Sequence, residues 1–218
     1  MDFLDSGNSE ETDRLLRQAA QGDLREWGAL LESHRKRLRR MVALRLDPRL
    51  QGRIDASDVI QEAFLEASQR LPEYAARPTM PFFLWLRFLT GQKLMELHRK
   101  HLGTRKRDAS REVSLYHGAL PAASSAALAA QLVGHDTRPS EAAIRAERKI
   151  RLQEALNRME PLDREVLALR HFEQLTNAET ARVLDLQASA ASKRYLRALQ
   201  KLKDILMEPY GGPGGTYP

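Results

Sequence analysis

Cysteine is absent from the 218-residue chain. That excludes a disulfide framework, thiolate zinc sites and a cysteine nucleophile. Lys and Arg are absent from the first thirteen positions, which instead carry Asp2, Asp5, Glu10, Glu11 and Asp13; a secretory leader has the reverse charge. No run is apolar enough to span a bilayer. The longest uncharged stretch, 113–135, contains Gly118, Pro121, Gly134, two histidines and a cluster of Ser and Ala. Sustained alternation of apolar and polar residues, the mark of a strand, is missing as well. So are a phosphate-binding glycine loop, His-Glu-x-x-His and Gly-x-Ser-x-Gly, the signatures of several common catalytic chemistries. The histidines are scattered, and His98 and His101 lie among basic residues that would repel a dication. The expectation left standing is a soluble, cytoplasmic chain with no membrane segment, no bound metal and no cofactor.

What the chain does have is charge and helical periodicity. Lys and Arg number 35 against 29 Asp and Glu, a net charge of +6 that hints at a polyanionic partner. At 42% hydrophobic residues it can build cores, and its length favours two domains of roughly 100–200 residues at most. After an acidic leader, residues 1–12, Leu15, Leu16 and Ala19 begin a helix that stops at Gly22. Asp23 is suited to cap the next helix. There Trp27, Leu30, Leu31, His34, Leu38, Met41 and Val42 recur every three or four residues as one buried stripe. The opposite face is basic: Arg35 to Arg53 holds eight Lys/Arg against one acid, Asp47. A third helix spans about 56–71, and Pro72, Pro78 and Pro81 bracket the connection that follows it. The fourth starts apolar at Phe82, passes Gly91 and turns basic by Arg99. Together these predict a four-helix domain over 13–107.

Periodicity dissolves over 108–140, which reads as a linker, with transient helix in its alanine-rich part as the alternative. Its thirty-three residues, extended at ~3.3 Å each, would reach on the order of 100 Å. A second helical domain is expected over 141–207, and a Gly/Pro-rich disordered tail over 208–218. Within the second domain, Thr176-Asn-Ala-Glu179 has the form of a capping box. A short helix, a tight turn at Asp185-Leu186 and a long helix from about Ala188 make a helix-turn-helix. Ser189, Ser192, Lys193, Arg194 and Arg197 would face the major groove and its phosphates. An ordinary helical hairpin with a solvated basic face is the competing reading. Asp185 stands where φ > 0 is wanted and tolerates it.

Two further constellations lie in the first domain. Met95 to Arg111 carries six Lys/Arg behind an aromatic helix start, the combination that suits single-stranded bases, although most of those rings also have core spacing. Asp55, Asp58, Glu62 and Glu66 run against the global charge. Each like-charged i, i+4 pair costs an isolated helix ~0.2–0.5 kcal/mol, so the stripe is either screened by Arg53 and Arg70 or serves a protein partner.

Taken in order, Gln21-Gly-Asp23 with Trp27 and Leu30, Asp58-Val-Ile-Gln-Glu62-Ala-Phe64, Pro81-Phe-Phe-Leu-Trp-Leu86, the block from Pro161 to Arg170, and Ala190-Ala-Ser-Lys-Arg-Tyr195 converge on one family. The chain resembles the extracytoplasmic-function (ECF) sigma factors of the sigma-70 superfamily, and within them the planctomycete-type group, over about residues 13–206. The resemblance implies an all-α fold of two helical domains, sigma domain two and sigma domain four, joined by a flexible linker. It implies a non-enzymatic factor that binds core RNA polymerase and directs it to promoters. Docking on the β′ clamp helices would fall to Asp58, Gln61, Glu62 and Phe64, with the β flap as the second contact on polymerase. The −10 element would be met by Trp85, Arg87, Gln92, Lys93, Glu96, Arg99 and Lys100, and the −35 element by the helix-turn-helix residues named above. Gly91-Gln92-Lys93 stands where the family often has Arg-Asn-Leu, and Asp185-Leu186 where its turn commonly has glycine. An anti-sigma factor is left open as a partner. The rival from another class is a helix-turn-helix regulator with a helical sensing or dimerisation domain; a nucleic-acid-processing enzyme lacks any coherent carboxylate or metal constellation.

Overall fold

The computed structural model describes residues 3–102, 120–133 and 142–208, with side chains from Glu11 onward. All of the expected tail but Glu208, the basic stretch after Leu102 and part of the linker lie outside the described residues. Nine α-helices are described: α1 (Phe3–Ala20), α2 (Leu24–Arg45), α3 (Ala56–Ala76), α4 (Phe82–Leu102), α5 (Ser125–Val133), α6 (Ala142–Arg158), α7 (Pro161–Leu167), α8 (Asn177–Leu184) and α9 (Ala188–Met207). The fold is all-α. Helix α1 runs back through the acidic leader to Phe3.

The N-terminal bundle, α1–α4, closes around the stripe on α2: Trp27, Leu30, Leu31, His34, Leu38, Met41 and Val42 are all buried. Asp23 caps α2 as expected, its carboxylate accepting from Arg25 N at 3.0 Å and Glu26 N at 3.1 Å. Helix α3 continues through Pro72 to Ala76, beyond the boundary expected from that proline. The reason is tertiary. Tyr74 is buried near the helix end, stacked on Trp85 with centroids 4.3 Å apart, and its hydroxyl donates to Met80 O at 2.8 Å. Burial raises the Tyr74 hydroxyl to a pKa of about 12.

The C-terminal bundle, α6–α9, holds the helix-turn-helix. The Thr176–Glu179 capping box forms in both directions, at 3.1 and 2.8 Å. Asp185 takes the left-handed conformation at φ +52°, ending α8. After α7 the chain makes a π-helical turn, Ala168–Phe172, closed by Glu173 N donating to Ala168 O at 3.0 Å.

Helix α5 departs from the flexible-linker expectation. Leu128 and Ala129 are fully buried, in one cluster with Leu44 of α2, Leu156 of α6 and Phe172. A second cluster likewise joins Val166, Leu169, Leu175, Val183 and Leu184 of the C-terminal bundle to the N-terminal core. The alanines that weaken α5 as a sequence signal let it pack closely between the bundles.

His34 sits in the N-terminal core with ring centroids 5.6 and 5.5 Å from Phe82 and Phe83. Burial first, then the charge of Arg37, lowers its pKa from 6.5 to about 4. The folded state therefore holds the imidazole neutral, while the unfolded chain protonates it once the pH falls below 6.5. Stability from this group is complete above pH 6.5 and is lost as pH falls towards 4, a loss of about 3 kcal/mol at 1.36 kcal/mol per pK unit. His34→Phe should flatten the decline in urea midpoint between pH 7 and pH 4 relative to the unsubstituted chain.

Candidate nucleic-acid and protein interfaces

The acidic series on α3 divides by function once the side chains are placed. Asp55 caps the helix, accepting from Ser57 N at 2.6 Å. Glu66 turns inward to Arg70 at 2.6 Å and Lys93 at 2.8 Å. Asp58, Gln61 and Glu62 remain exposed, and among the described residues neither Asp58 nor Glu62 forms an ion pair. Phe64 faces the other way. It is buried at 9% exposure, with the Arg35 guanidinium 5.4 Å over its ring. The apolar member of the outward stripe is Leu65, 66% exposed. The i, i+3, i+4, i+7 spacing of Asp58, Gln61, Glu62 and Leu65 puts them on one face; that spacing was the available signal for Leu65.

The residues expected to meet the −10 element fall in two groups. Gln92, Lys93, Glu96, Arg99 and Lys100 line one side of α4, from partly to fully exposed. Lys93 is held by Glu66 and by Glu96 at 3.2 Å, which raises its pKa, chiefly through the bond to Glu66. Trp85 and Arg87 are instead buried. Trp85 belongs to the core, stacked on Tyr74, so it offers no face to a base here. Arg87 is 4% exposed and donates from Nε to Glu173 Oε2 at 2.7 Å.

Glu173 is the centre of the contact between the bundles. It is 0% exposed and pairs with both Arg87 and Arg45; Arg45 also pairs with Glu165. Burial opposes charge on Glu173, but the two guanidiniums outweigh it and hold the carboxyl below its usual range. A little further out, Arg37 donates to Glu173 O (3.2 Å), Gln174 O (3.0 Å) and Glu179 Oε2 (3.2 Å), with its guanidinium 3.5 Å over Phe83. Gln174 takes φ +57°, a strained conformation for a residue with a side chain. Three of the cations counted into the basic face of α2 and the start of α4 are thus spent inside the molecule.

On α9, Ser189, Ser192, Lys193 and Arg197 are exposed along one face. Arg194 is half-withdrawn, paired with Asp163 at 2.8 Å. Asn177 Nδ2 donates to Ala188 O at 2.8 Å and fixes the start of α9 against the start of α8. Ala191 and Ala198 pack inward, whereas Leu199 is 40% and Leu196 62% exposed.

Residues 149–202, from α6 through α9, match the family described as sigma-70, region 4. Over 198 residues the chain is 29% identical to the ECF RNA polymerase sigma factor SigD of Mycobacterium tuberculosis, covering 91% of this chain and 85% of that one. It is 28% identical over 202 residues to the RNA polymerase sigma factor CnrH of Cupriavidus metallidurans, covering 91% and 96%. Along nearly its whole length the chain is similar to RNA polymerase sigma factors of the ECF type. A solved structure of CnrH in complex with the cytosolic domain of CnrY shares the fold, with TM-score 0.53 and 23% identity over 90% of this sigma factor and 97% of that chain. As a sigma factor it acts in transcription initiation, and the helix-turn-helix built by α8 and α9 falls within the region 4 match.

The two neighbours on α3 separate folding from docking. Phe64→Ala should lose about 3 kcal/mol of stability as a buried aromatic truncated to a cavity. Leu65→Ala should stay within about 0.5 kcal/mol, as an exposed site with no structural partner. Urea unfolding of both variants checks the pair.

Proposed function

We propose that this sigma factor docks on the β′ clamp helices of core RNA polymerase through Asp58, Gln61 and Glu62 of α3, with Leu65 as the apolar contact beside them. The observation that carries the reading is the outward stripe itself: two carboxylates without ion pairs among the described residues, next to an exposed leucine, on a chain of net charge +6. Such a stripe repels DNA and suits a basic or polar protein surface. Phe64, expected as the packing anchor, acts instead through the core that holds α3 in place.

The cationic stripe on α4, Gln92, Lys93, Glu96, Arg99 and Lys100, is assigned to the −10 element. The stripe on α9, Ser189, Ser192, Lys193 and Arg197, with Arg194 once released from Asp163, is assigned to the −35 element. Lys and Arg would supply phosphate affinity, and the serines and amide would supply base contacts. The C-terminal bundle would take the β flap as its second polymerase contact. Bond formation in RNA synthesis belongs to the polymerase, so this chain works by binding alone, in the cytoplasm and without a cofactor. Domain limits of 13–107 and 141–207 and membership of the planctomycete-type group are part of the same reading. CnrH is found in complex with the cytosolic domain of CnrY, which supports an anti-sigma partner for this chain too. Among the described residues no helix is long and apolar enough to cross a membrane.

Purified chain mixed with core polymerase should start promoter-dependent RNA from a genomic pool; absence of both core binding and initiation would overturn the reading. Reversing Asp58 and Glu62 to Lys should weaken core binding by about tenfold or more, as for charges at a protein contact. Lys193→Ala with Arg197→Ala should reduce promoter affinity with a shallower salt dependence while leaving core binding unchanged.

A further inference from the structure

We propose that Asn177 is a positioning residue for −35 recognition: it pins the first turn of α9 so that Ser189, Ser192 and Lys193 meet the groove in one fixed register. This rests on the sigma-factor reading and on the assignment of α9 to the −35 element.

The first argument is that helix-start chemistry does not account for Asn177. Thr176 already caps α8, and its capping box with Glu179 is complete without a neighbour's help. The Asn177 side chain reaches across to the next helix, where Nδ2 donates to Ala188 O at 2.8 Å. Holding that bond leaves Oδ1 buried with no hydrogen-bond partner among the described residues. A buried acceptor without a donor is destabilising, so the bond to Ala188 is kept at a cost. Because Ala188 presents a carbonyl, only the amide NH2 can face it, which fixes the orientation of the group.

The second argument is that little else holds the leading turn of α9. Its N-cap residue, Gln187, makes no side-chain bond. The buried residues of the helix are Ala191 and Ala198, whose methyl groups form low ridges that interlock weakly with a neighbouring helix. The larger packed side chains, Tyr195, Leu202 and Ile205, come later, as does the Arg194–Asp163 pair. The turn before α9 has Asp185 in the left-handed conformation at φ +52°, which a residue with a side chain occupies at some cost. One bond from Asn177 ties the two helix starts together across that turn.

The third argument is where the pin acts. In a helix-turn-helix the N-terminal residues of the second helix meet base edges, and such groups must be held within about 0.5 Å of the productive geometry. Ser189 follows the pinned residue directly. The carbonyl of Ala188 is also the helical acceptor for the Ser192 N–H, so the Asn177 bond and a groove-facing serine converge on one oxygen. Asn177 carries no charge, so it contributes register and no phosphate affinity, unlike Lys193 and Arg197.

The test uses full chains bound to core polymerase on promoter fragments recovered from the genomic pool. The −35 duplex is intact or scrambled, and the −10 element is unchanged. Asn177→Ala should weaken binding to the intact fragment by about fivefold or more, the low end of what one lost base contact costs, and leave the scrambled fragment unaffected. The salt dependence should keep its slope, because no phosphate contact is removed. Asn177→Asp, which sets a carboxylate oxygen against Ala188 O, should do at least as much. Hydrogen exchange should quicken at the amides of residues 191 and 192 and stay unchanged in α7. Urea midpoints report folding, and Asn177→Ser, too short to reach Ala188 O, decides the matter if the alanine variant unfolds. Equal losses on both fragments, no loss on either, or unchanged exchange overturns the pin and leaves the sigma reading intact. If the unsubstituted chain neither binds core polymerase nor tells the fragments apart, the sigma reading falls and the role in recognition with it, while hydrogen exchange still shows whether the bond holds α9.

Discussion

A carboxylate with no access to water holds this arrangement together. Glu173 sits between Arg45 and Arg87, with their three side chains at most 4% exposed. Removing such ions from water costs several kcal/mol each, and only close pairing with further hydrogen bonds offsets that cost. The demand explains the neighbourhood. Glu165 supplies a second carboxylate to Arg45, and the π turn lets Glu173 point inward where an ordinary helical turn would carry it elsewhere. Arg37 completes the rim by binding the carbonyls of residues 173 and 174. Removing Glu173 takes from both Arg45 and Arg87 the buried carboxylate they share.

Charge in this chain is divided between internal and external work. Arg37, Arg45 and Arg87 face carboxylates of the C-terminal bundle, and Glu66 ties α3 to Lys93 of α4. Lys193, Arg197, Arg99 and Lys100 face outward. Glu179 serves both uses with one oxygen, accepting from the Thr176 amide at 2.8 Å and from Arg37 at 3.2 Å. The net charge of +6 therefore says little by itself about a partner, because it averages buried ion pairs, an exposed acidic stripe and separate exposed cationic stripes.

Helices with strong periodicity and local caps were legible in the sequence. The α2 stripe, the Asp23 cap, the Thr176–Glu179 box and the left-handed Asp185 depend on neighbours within a few residues, and all are present. What was not legible depends on residues distant in sequence. Pro72 reads as a breaker until Tyr74 finds Trp85; Trp85 reads as a base-stacking ring until Tyr74 covers it. Phe64 and Leu65 differ by one position, and only the direction of the core decides which faces outward. The role of Arg87 was hidden most completely, since its partner lies 86 residues away. The packing of α5 was hidden for a related reason: alanine-rich sequence carries little amphipathic signal, and its burial depends on surfaces from both bundles.

Gly91 and Leu120 make the sequence of one helix conditional on the sequence of the linker. Any side chain at position 91 needs a smaller or displaced residue at 120 if the segment is to stay seated. A substitution at 91 is thus felt first at the Leu120 side chain, which has to turn away to make room.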